Sequence, residues 1–133
     1  MNPRTTPARG KIAGRYSKAK QFAGVAAFVE ELLDEGEDVV DAYVTLCVHS
    51  GIASSDVICG TRLGEYPAGE KHEDAVAMLA TIDRSSSNYL KTLLQLKSRA
   101  AYSAESVSHD RALAAGRAMD NLLSRATTIR TGN

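Results

Sequence analysis

The chain has 133 residues, of which 44% are apolar, 24% charged and 5% aromatic, with three prolines and no Trp. A chain of this length buries enough apolar surface to fold as one domain without a metal or a disulfide framework, and its composition excludes collagen-like, disulfide-scaffold and disordered classes. Sixteen Lys and Arg balance sixteen Asp and Glu, so the net charge singles out neither a nucleic acid nor a membrane as partner.

Residues 1–15, with Pro3, Pro7, Gly10 and Gly14, read as a flexible basic tail. No apolar stretch follows at signal-peptide distance, and no run reaches the about 18 uninterrupted apolar residues of a membrane span, so the expected location is the cytoplasm. The rest, residues 16–130, reads as a single helical domain, because apolar residues recur at three- and four-residue steps and nothing alternates with period two. A first helix is expected from about Ser17 to Asp34, with Phe22, Val25, Phe28, Val29, Leu32 and Leu33 as its apolar stripe and Gly36 as its stop.

A second helix is expected from Glu37 and Asp38 to Gly64. It is apolar around well over half its circumference, which makes it the central, most enclosed element, and Gly51, Ala53, Ser54 and Ser55 let a neighbour approach closely. Tyr66-Pro67-Ala68-Gly69 is a turn, and EKHEDAVAMLATI a short third helix with acids in its first turn. Ser85 to Ser87 offer caps for a fourth helix, NYLKTLLQLKSRAAYS; a break follows near Ala104 to Ser106, and Ser108 caps a fifth. The expected fold is all-α, an antiparallel bundle of four to five helices.

Balanced charge conceals segregation. Residues 1–21 carry +6, residues 22–83 carry −11 and residues 84–133 carry +5. Such polarity orients subunits, presents a basic face to a polyanion, or simply solvates helix surfaces.

Chemistry-bearing residues are few. His49 and Asp56 stand seven residues apart on the central helix, two turns along nearly the same face. Either they flank a polar hole in an apolar helix, or each is satisfied structurally, His49 by a carbonyl or hydroxyl and Asp56 by a cation from the fourth or fifth helix. Cys47, His49, Cys59 and His72 are zinc-type donors, but they lack the close CxxC or HxxxH spacing, so no metal is expected. The two cysteines lie about 18 Å apart along one helix and cannot pair. No phosphate loop, HExxH or GxSxG occurs. At the basic end of the fourth helix, Lys97, Arg99 and Tyr102, with His109 and Arg111 beyond, combine cations with a ring, as an RNA-binding surface does; cations complementing a helix end are the plainer reading.

The succession AYVTLCVHSGIASSDVICGTRLG, GEKHEDAVAML, SNYLKTLLQLKSRAAYS and a last amphipathic helix resembles the HEPN superfamily, closest to a small stand-alone actinobacterial branch. The resemblance covers roughly residues 16–130 and rests on helix order and on His49, Asp56, His72, Lys97 and Tyr102. It implies a bundle, often dimeric, in a superfamily with many metal-independent ribonucleases, among them toxins paired with nucleotidyltransferase antitoxins. Catalytic members carry an Arg followed by a His after four to six residues. In this chain His49 and His72 have no Arg at that distance, and nine residues and a break separate Arg99 from His109.

The expectation is therefore a non-catalytic or degenerate HEPN-like homodimer that binds RNA or a nucleotide without a cofactor, through Lys97, Arg99, Tyr102 and Arg111, with His49 and Asp56 as further candidates. One alternative is a metal-independent ribonuclease, in which Arg99 and His109 meet across subunits as charge stabiliser and acid or base. Another is a protein-interaction module, whose acidic face on the first two helices engages a neighbour-encoded partner.

Overall fold

A computed structural model describes residues 5–69 and 71–132. The chain is an all-α bundle of five helices, α1 (Ile12–Asp34), α2 (Val40–Leu63), α3 (His72–Ala80), α4 (Arg84–Ala101) and α5 (His109–Arg130). Two three-residue strands, β1 (Thr5–Pro7) and β2 (Glu65–Pro67), pair antiparallel, Thr6 opposite Tyr66.

The apolar circumference of α2 places it at the centre, packed against the four other helices. Its buried residues include Tyr43, Val44, Cys47, Val48, Val57 and Ile58. The helix is long and apolar enough to cross a membrane, but 72% of its most apolar window is buried inside the protein, so the bundle consumes that apolarity. Gly51 faces α4 and α5, where a Cβ would overlap Leu93 and stand 3.2 Å from Leu122. The expected close approach is thus made at Gly51, while Ala53, Ser54 and Ser55 are buried around it. Gly64 ends α2 at φ 76°, a left-handed cap that suits a residue without Cβ.

α1 runs antiparallel to α2. Ala8 N donates to Gly64 O, Arg15 pairs with Asp56, Ser50 Oγ donates to Ala19 O, and Phe22 packs against His49, so partner numbers fall along α2 as they rise along α1. A loose tail over 1–15 is not what the described residues show. Thr5–Pro7 is paired to β2, Ala8 and the α1 start Ile12 pack beside Gly60, and α1 begins five residues before Ser17. Burial of Ala8 and Ile12 against the last turns of α2 outweighs the low helix propensity of Gly14.

Two other boundaries move. α2 begins at Val40, after Glu37 and Asp38. α4 begins at Arg84, because Asp83 occupies the cap position in extended backbone and takes a 2.7 Å hydrogen bond from Ser86 Oγ, which brings the serines inside the first turn. Asp83 also holds Arg125 of α5 at 3.2 Å. Ser108 does cap α5, its hydroxyl accepting from Arg111 N. The α4–α5 link is closed by buried Val107, whose N donates to Asp41 on α2 at 2.8 Å.

Candidate ligand pocket between α2, α3 and α4

The C-terminal half of α2, the β2 turn, α3 and α4 line a half-open cavity of about 180 Å³. Ile52, Leu90 and Leu94 form its apolar wall. Ser55 and Asp56 enter from α2, Lys71 and His72 from the start of α3, and Lys97 from α4. The helix period explains the convergence: Leu90, Leu94 and Lys97 follow at steps of four and three on one face of α4, and Ser55 and Asp56 stand three and four residues after Ile52 on α2. Ligand pockets for drug-sized molecules enclose roughly 300–1,000 Å³; this one fits a phosphate or sugar group, or one end of a longer ligand.

Asp56 is the buried charge of the site. Its Oδ2 accepts from Arg15 Nε at 2.8 Å, so its cation comes from α1. Burial nevertheless pushes the carboxyl up to about 7, against the lowering effect of the guanidinium. Near neutral pH this group is divided between acid and carboxylate. Ser55 Oγ is buried, with only the Cys59 thiol, a weak partner, beside it.

His49, two turns before Asp56, is exposed and packs against Phe22, the rings tilted by 34° with centroids 5.4 Å apart. Partial burial lowers its pKa, as do the charges of Lys97 and Arg15. His49 therefore feels the charges of Lys97 and Arg15 without lining the pocket.

The other expected contact residues stand elsewhere. Arg99 pairs with Glu105 at 2.9 Å. Tyr102 is 80% exposed. Arg111 borders a shallow cleft with Gln95 and Leu96, and His109 is exposed in the first turn of α5. The basic patch read from the sequence is thus divided, with Lys97 lining the pocket, Arg99 and Tyr102 at the end of α4, and His109 and Arg111 in the first turn of α5. Cys47 and Cys59 are free and buried, and burial pushes both thiols up to about 12. Among the described residues, no three His, Cys, Asp or Glu side chains come together as metal ligands.

Arg15, Ser55 and Lys71 belong to the site but were not among the expected residues. A missed signal was available for Arg15, since a buried Asp56 demands a cation and the basic segment 1–21 is the densest source of one. No protein-family model matches the chain, and no curated protein or solved structure matches it either.

Proposed function

We propose that the chain is a cytoplasmic HEPN-like binding module that takes the phosphate-bearing part of a nucleotide, or the end of an RNA strand, in the pocket between α2, α3 and α4. The observation that carries the reading is the convergence of Lys71, His72 and Lys97 on one small cavity floored by Ser55 and Asp56. Two ammonium groups and an imidazole supply the charge-assisted donors a phosphate needs. The apolar wall of Ile52, Leu90 and Leu94 accepts a sugar or base face. Asp56, anchored by Arg15, accepts a hydrogen bond from a ribose hydroxyl or a base amine.

Calorimetric titration of the full chain at low salt, with nucleoside monophosphates and a short single-stranded RNA, tests this reading. Lys97→Glu is expected to weaken binding about tenfold or more, whereas Arg99→Glu, whose side chain faces Glu105, changes it less than about twofold. Equal binding by the Lys97→Glu variant, or no binding of any of these ligands, overturns it.

A second reading is favoured by the Asp56 carboxyl, which titrates near 7. A carboxyl divided between its two forms near neutral pH suits general acid–base cleavage of a phosphodiester, with the His72 side chain lining the same cavity. RNA cleavage in EDTA that Asp56→Asn abolishes supports that reading, and a bound RNA recovered intact removes it.

A further inference from the structure

α1 carries two apolar faces. Ala19, Ala23, Ala26 and Leu33 turn toward the bundle. On the opposite side Val25, Phe28 and Leu32 are 51%, 74% and 43% exposed. α1 packs against α2 and, more lightly, α5, so its outer side has no neighbour among the described elements. Lys18, Gln21, Val25, Phe28, Leu32 and Glu35 follow one another there at three- and four-residue steps, a seam of the kind one helix offers another. Gly14 and Gly24 flank this seam with open space beyond their missing Cβ atoms. A glycine inside a helix weakens it relative to alanine, and nothing among the described residues fills the space these two leave.

The charge along α1 identifies the occupant. Its first half carries Arg15, Lys18 and Lys20 and no acid, with Arg15 already held by Asp56, whereas Glu30, Glu31, Asp34 and the capping Glu35 close the helix without a cation. Two copies side by side in the same direction would set like charge against like. Two copies in opposite directions set the basic half of each against the acidic half of the other, so a second copy of this chain supplies both complements. With the two-fold axis between Val25 and Phe28, each Phe28 meets the other copy's Val25, each Leu32 lies on the other's Gln21, and each Lys18 stands opposite the other's Glu35. We infer that the outer face of α1 is the surface on which two copies of this chain pair antiparallel, through an apolar centre at Val25, Phe28 and Leu32 and ion pairs at both ends. The inference does not depend on what occupies the pocket.

Sedimentation equilibrium of the full chain tests it. A monomer–dimer equilibrium at concentrations on the order of tens of micromolar is expected, since one pair of helices buries less than the roughly 1,600 Å² of a standard interface. Phe28→Glu should leave only monomer while circular dichroism and the thermal midpoint of the dilute protein stay unchanged, because the ring is largely exposed. Lys18→Glu and Glu35→Lys should each weaken dimerisation about fivefold at low salt, as each pair occurs twice, and their combination should restore it to within about twofold. The inference is overturned by a monomer at all concentrations up to several hundred micromolar, by a dimer that survives Phe28→Glu, or by a double variant no better than the singles. The last result assigns the face to another register or to a different protein.

Discussion

Asp56 stands 2.8 Å from Arg15 yet titrates near 7, because the cost of burying its charge exceeds what one guanidinium returns. In the unfolded chain the same carboxyl titrates near 3.8. Between those values the folded protein holds a proton that the unfolded chain releases, so this group's contribution is fully present below about pH 4 and is lost as pH rises through about 7. Urea unfolding of wild type and Asp56→Asn across pH 4 to 8 should show the wild type losing on the order of a few kcal/mol relative to the variant over that window. Parallel profiles would show that Asp56 is ionised throughout. The sequence did expose Asp56 as a buried acid in need of a cation, but not the source of the cation. Arg15 sits between Gly14 and Tyr16 in a segment whose glycines and prolines signal a coil, and only the packing of Ala8 and Ile12 against α2 turns that segment into helix.

Among the elements, α2 was the most legible, since a helix apolar on most sides has no stable place except the middle of a bundle. Its closeness to α4 depends on Gly51. Gly51→Val is expected to destabilise the protein by about 2 kcal/mol, because Leu93 and Leu122 must both move, whereas Ser108→Ala should cost about 1 kcal/mol through the lost cap of α5. Chemical denaturation of the two variants checks the order as well as the sizes. The strands were not legible. Three residues each, both ending in proline, are too short for a period-two signal, and β1 finds its partner 60 residues away. The α4 boundary shifted because Asp83, three residues before Ser86, is itself a capping residue type, and spacing alone cannot choose between two candidates in one turn. The pocket was legible only in part: Asp56, His72 and Lys97 could be singled out, together with His49, which does not line it, and which of them face each other depends on how α3 and α4 are rotated about α2.

For the whole molecule, the segregated charge read from the sequence is spent partly within the fold, where Arg15 of the basic beginning meets Asp56 and Arg125 of the basic end meets Asp83, both in the acidic middle. What remains on α1 is available to a second copy. The two thiols carry a further consequence. Cys47 and Cys59 are fully enclosed, on the helix that every other helix touches, and each resists ionisation until about pH 12. Reaction with a thiol reagent at pH 8 therefore waits on opening of the bundle, and its rate should rise with urea in step with unfolding. Fast modification of the native protein in plain buffer would show that α2 is reached without such opening. Because Cys59 lies beside Ser55 at the pocket, any compound that seats there and holds the surrounding helices closed would retard that modification. The chain thus comes with its own stopwatch, and a library of unlabelled metabolites can be ranked by how far each one slows it.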